Sequence, residues 1–133
     1  MNYLLDTNIC IHFFRGRHEI KHRIKDAGFG QCRISEITWA ELLFGAEASK
    51  RPDHHKAILD DFLEHVPIIQ IEKAIPLYAK EKARLIKIGM CVDDLDLLIG
   101  ATALAHDLTM VTENVKHFQR MENLKLENWV SRS

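Results

Sequence analysis

The segment LLDTN sets a carboxylate, Asp6, at the end of an apolar run of the kind that forms a buried strand. Burying an ionised carboxylate is costly unless a partner or a metal compensates it. Asp6 therefore either ends the strand as a cap or turn residue or holds something. Asp96 is a second acid out of place. It interrupts DDLDLLIGATALAHD, where Leu, Ile, Ala and Gly fill nearly every face of a helix and an unpaired charge is penalised. Asp93, three residues earlier on the same face, is the more natural N-cap of that helix and is read as structural. Glu41 follows Thr38 at the spacing of a capping box, which is enough to place a Glu there. Asn114, in TEN after an apolar run, suits a turn. Taken together, Asp6, Glu41, Asp96 and Asn114 form an all-oxygen set suited to Mg²⁺ or Mn²⁺.

Other chemistries find less support. The eight His form no HxH or HExxH pattern, and His54 and His55 fall on a polar helix face, so a zinc site is not expected. Neither a glycine-rich phosphate loop nor a GxSxG elbow occurs. Cys10, Cys32 and Cys91 are odd in number and widely spaced, the pattern of free thiols in a reduced, cytoplasmic protein. A net charge of −1 gives no global basic field, so a polyanion would have to be held by local patches or by metal. With 47% hydrophobic and 28% charged residues over 133 positions, the whole chain is expected to fold as a single domain with a proper core. No apolar run approaches the ~20 residues of a membrane span, and the N-terminus lacks the features of a signal peptide.

The elements that must position these groups alternate between strand and helix. Tyr3 to Asp6 reads as a short buried strand, and a helix from Asn8 to about Arg15 stops at Gly16. A second small helix is expected over His18 to Asp26. QCRIS reads as a strand running into a helix over ITWAELLFGAEASK, and Pro52 opens another amphipathic helix. VPIIQI follows as a strand, and a long helix from Glu72 to Ile88 accommodates Pro76 near its start and ends at Gly89. The helix around Asp96 should be buried in the core or in a subunit contact. LTMVTEN is then a strand, VKHF a short helical turn and LKLEN a last edge strand. The alternation predicts an α/β fold with a central, mainly parallel sheet flanked by helices. In such sheets ligands collect beyond the carboxyl ends of the strands, where Asp6 and the segment from Thr112 to Asn114 would both lie.

The succession LLDTN, TWAELLFGAE, DLDLLIGATALAHDLTMVTEN and HFQRMENLKLENW resembles the PIN-domain ribonucleases of the VapC toxin type, from the first strand to Trp129. The resemblance implies that Asp6, Glu41 and Asp96 bind a divalent metal. It places Asn114 where relatives carry Asp or Asn, and Asn8 and Thr112 at polar positions bordering the site. Gly100 stands where Ala is more usual, and the neutral Asn114 offers a second ion one charge fewer.

What the resemblance implies is a PIN-like fold and a Mg²⁺-dependent endoribonuclease, with Mn²⁺ able to substitute, that cuts RNA by metal-activated water. It also implies toxicity, a VapB-type antitoxin protein as partner, a toxin homodimer and a higher assembly with the antitoxin. Basic groups for the RNA backbone are available at Arg15, Arg17, Lys21, Arg23 and Lys25, or at Lys80, Lys82, Arg84 and Lys87. A housekeeping RNA-processing or structure-specific nuclease with the same site is the alternative within the class. Outside it stands a non-catalytic interaction module whose acids are caps and surface charges.

Overall fold

The computed structural model describes Asn2 to Arg132. Apolar dipeptides build its centre. In β1 (Tyr3–Leu5) Leu4 and Leu5 are both fully buried, but consecutive strand side chains point to opposite faces. Leu4 accordingly joins a core with Leu97, Ile99 and Met110, while Leu5 joins another with Ile9, Ile34 and Val111. Each face of the sheet thus needs its own cover of helices.

The remaining strands are β2 (Cys32–Ser35), β3 (Ile68–Ile69), β4 (Thr109–Val111) and β5 (Leu126–Glu127). They lie in the order β3-β2-β1-β4-β5, and every recorded pairing is parallel. Such connections need helical crossovers. The helices are α1 (Thr7–Phe14), α2 (Ile20–Ala27), α3 (Glu36–Glu47), α4 (Pro52–His65), α5 (Ile75–Lys87), α6 (Asp94–Ala105) and the single turn α7 (Val115–Phe118). As its all-round apolar sequence requires, α6 buries Leu97, Ile99, Gly100, Ala101, Thr102 and Ala103. Chain direction across the sheet reverses at β1, since β2 and β3 extend to one side and β4 and β5 to the other. The carboxyl ends of β1 and β4 therefore flank a switch point, where a crevice opens in folds of this kind.

Three local readings of the sequence are corrected. The cap of α3 is Ser35, whose Oγ accepts from the Thr38 backbone N–H at 3.1 Å. Thr38 and Glu41 lie inside the helix, so their spacing is not a capping box and Glu41 is free for another task. α2 starts at Ile20 instead of His18, because His18 and Glu19 take left-handed φ values of 56° and 54° that reverse the chain after α1. The segment Glu72–Ala74 is a separate 3₁₀ turn, after which α5 opens with Pro76 in its first turn. The stops at Gly16 and Gly89 stand, with φ of 62° and 71°.

Of the two basic stretches, the one on α5 is partly committed to structure. Arg84 makes paired contacts of 2.9 Å to buried Glu81 and donates to the Arg120 carbonyl, while Lys82 binds Asp94 at 2.8 Å. No helix among the described residues is long and apolar enough to cross a membrane.

Candidate active site

Asp6 follows β1 directly and serves as the N-cap of α1, where its Oδ1 accepts from the Thr7 backbone N–H at 2.8 Å. The cap reading of this residue is therefore correct, yet it does not exhaust the carboxylate. Oδ2 accepts at 2.8 Å from the hydroxyl of Thr112, which is fully buried at the end of β4. The two strands are locked side by side here, since the Asp6 N–H also donates to the Val111 carbonyl at 2.9 Å. Asp6 is only 5% exposed. Burial, helped by the charges of Asp96 and Glu41, pushes its carboxyl from 3.8 up to about 6 against the lowering effect of its two hydrogen bonds.

Glu41 reaches the same place from the second turn of α3. Its Oε1 accepts from the Thr7 hydroxyl at 2.6 Å, and that hydroxyl lies 3.1 Å from Thr38 Oγ1. Thr7 therefore ties α1 to α3 beside the acids. Asp96 enters from the first turn of α6, half-buried, with its carboxyl raised by burial and by the nearby charges of Asp93 and Glu41. Its neighbour is His117, whose Nε2 stands 3.2 Å from Asp96 Oδ2. Asp93 occupies the N-cap position of α6 as expected, its carbonyl accepting from the Leu97 N–H at 2.8 Å, although its side chain forms no cap bond.

All four predicted residues line one open cleft of about 570 Å³, together with Thr7 and Asn8. Asn114 is exposed at its rim and heads α7 without a side-chain cap bond, while its backbone N–H donates to Thr112 Oγ1 at 3.0 Å. Among the described residues no Lys or Arg pairs with Asp6, Glu41 or Asp96. Nor do three His, Cys, Asp or Glu side chains there close into a ready-made metal cage. The arrangement is an open set of three mutually repelling carboxylates with no lysine or arginine among them, His117 beside Asp96 being the basic group at hand. Such a donor set fits a hard divalent cation, which would relieve the repulsion.

Sequence reasoning missed several supports of this site. Thr7 and Thr38 are ordinary helix residues until the fold brings α1 and α3 together. His117 lies in an unexceptional VKHF turn. Glu113, between Thr112 and Asn114, turns away from the acids to pair with Arg132 and with His12 at 3.0 Å, contacts that hold its carboxyl down at about 2. Only the position of His117 three residues beyond Asn114 could have hinted that it lies near the site.

A family model for the PIN domain matches residues 3–124. The chain is 36% identical to Ribonuclease VapC2 of Haemophilus influenzae over 132 residues, covering 98% of this chain and 99% of that protein. It is 28% identical to the tRNA(fMet)-specific endonuclease VapC of Shigella flexneri, covering 97% and 98%. Among solved structures, VapBC2 of Rickettsia felis bound to a DNA fragment from its promoter superposes with a TM-score of 0.88 at 34% identity, over 97% of this chain and 99% of the other. With the acids gathered at the switch point of a parallel sheet and relatives matched end to end, the chain belongs to the PIN-domain family, among the VapC ribonucleases.

Proposed function

We propose that this protein is the toxin of a type II toxin–antitoxin pair, a Mg²⁺-dependent endoribonuclease whose metal ligands are Asp6, Glu41 and Asp96. The observation that carries this reading is the convergence of three carboxylates from three separate elements on one cleft with no lysine or arginine to neutralise them. The chemistry supplied by a bound divalent cation is Lewis-acid activation of water and of the scissile phosphate. Mn²⁺ should substitute for Mg²⁺, since both take hard oxygen donors.

The chain's own groups hold and orient. The Thr7 N–H and the Thr112 hydroxyl fix both oxygens of Asp6, so this acid is pre-set and not free to swing. The Thr7 hydroxyl holds one oxygen of Glu41, which leaves the other to orient a water or complete the ligand shell. Asn114 at the rim supplies a neutral amide able to support a second, more weakly held ion or a water. An RNA phosphate entering the open cleft must approach the acids, a contact they would repel in the absence of a cation. Relatives described as VapBC complexes support a VapB-type antitoxin as partner, and the family resemblance extends this to a homodimer with a higher assembly in the cytoplasm.

Purified protein incubated with total RNA and Mg²⁺ should cut it, chelator should stop the reaction, and Asp96→Asn should abolish it without unfolding the protein. Expression of the chain alone should arrest growth until a cognate antitoxin is supplied. A folded Asp96→Asn protein that still cuts RNA at the parental rate would overturn the assignment.

A further inference from the structure

Each acid of the cleft has a donor that fixes it, and the donors are of different kinds. Asp6 has a backbone N–H and a threonine hydroxyl, and Glu41 has a threonine hydroxyl. For Asp96 that place is taken by His117, the side chain recorded against it at 3.2 Å. The imidazole is itself held. Its backbone N–H donates to the Asn114 carbonyl at 3.2 Å, its ring meets Phe118 edge-on at 5.6 Å between centroids, and Phe118 is anchored in the core. Nε2 is buried, with no fully formed hydrogen bond of its own. A buried ring nitrogen 3.2 Å from a carboxylate oxygen, with no other partner among the described residues, needs only a small turn of the ring to donate to it.

We propose that His117 is a positioning residue for the nuclease reaction, its Nε2–H holding Asp96 Oδ2 so that the carboxylate presents its other oxygen to the cleft. This rests on the reading of Asp96 as a metal ligand. Groups that orient a ligating side chain from behind set its direction and basicity, and their loss typically costs 10- to 100-fold in metal affinity. α7 follows the Thr112–Asn114 loop directly, so His117 also couples that loop to α6. Asn114 and Asp96 are thereby kept in register across the cleft mouth.

The test uses the full chain with His117→Ala, His117→Gln and His117→Phe beside Asp96→Asn. Mn²⁺ binding is followed by titration calorimetry, cleavage is resolved into kcat and KM, and melting is measured in chelator. The alanine variant should bind Mn²⁺ 10- to 100-fold more weakly and lose kcat while keeping KM, at unchanged melting temperature without metal. The glutamine variant, whose amide can still donate, should recover part of the affinity, and the phenylalanine variant, which keeps the ring contact alone, should not. Glutamine and phenylalanine variants that behave alike would show a packing role and overturn the proposal. Parental affinity in all three, with affinity lost in Asp96→Asn, would overturn it while leaving the metal reading intact. Equal Mn²⁺ binding by the parent and Asp96→Asn would remove the metal reading and the role of His117 with it.

Discussion

Replacing Asp6 by Asn should make the metal-free protein more stable at neutral pH, even though it removes a group that two hydrogen bonds hold in place. Moving the carboxyl from 3.8 to about 6 sets roughly 3 kcal/mol against its ionised form, at about 1.36 kcal/mol per tenfold. Asn is nearly isosteric. It keeps an oxygen for the Thr7 N–H and turns an amide toward the Thr112 hydroxyl, which can accept, so about 2 kcal/mol of the relief should survive. The folded-state value lies above the unfolded one, so the folded protein binds the extra proton. The destabilisation is therefore absent below about pH 4, grows up to about pH 6 and is complete above that. Urea unfolding in chelator, followed by circular dichroism at steps from about pH 4 to 8, should show the variant about 1 kcal/mol less stable than the parent at the acid end, from its poorer hydrogen bonds, and about 2 kcal/mol more stable above about pH 6. Cleavage should be lost at every pH. A variant less stable than the parent at neutral pH in chelator, or a difference that does not change with pH, would refute the view that Asp6 is strained by burial and by its acidic neighbours.

Asn114→Asp should tighten Mn²⁺ binding in calorimetric titration, since a carboxylate replaces a neutral amide at the rim, and should lower the melting temperature in chelator by adding to the repulsion. Unchanged affinity in an intact fold would reduce Asn114 to a turn residue. Gly100→Ala should destabilise by about 1–3 kcal/mol in chemical denaturation. An added Cβ would stand 2.9 Å from Met121 Cε and closer still to its sulfur, on a side chain that is buried. A second change, Met121→Ala, should make the glycine substitution harmless, and a double variant as sensitive as the single one would show that the crowding lies elsewhere.

The parallel α/β fold was legible because its signals are local. Apolar dipeptides mark the strands, and glycines at 16 and 89 mark helix ends. Asp6 and Asp96 could be found because a carboxylate in an apolar setting is an energetic anomaly visible in sequence. Glu41 shows the limit of that logic. Thr38-x-x-Glu41 satisfies a local rule that Ser35, the last residue of β2, satisfies better. The position of a cap is decided by where the strand stops, and that in turn depends on its pairing with β1 and β3. The reversal at His18 and Glu19 was hidden for a related reason, since non-glycine residues enter the left-handed region only when distant packing compels them. His117 and Thr7 carry no anomaly. Their roles exist only as distances between segments remote in sequence, 21 residues for His117 and Asp96 and 34 for Thr7 and Glu41.

The place of β1 between β2 and β4 has a consequence for the life of the chain before it is finished. The Thr112 hydroxyl that holds Asp6 is separated from it by 106 residues. At ordinary rates of translation the first acid waits roughly 5 to 20 s for that partner to be made. Until then β1 can pair with β2 on one side only, and neither the switch point nor the cleft is complete. If Asp6 is a metal ligand, as proposed, a nascent polypeptide that has not yet reached Thr112 lacks the contact that fixes this acid and so should not yet cut RNA.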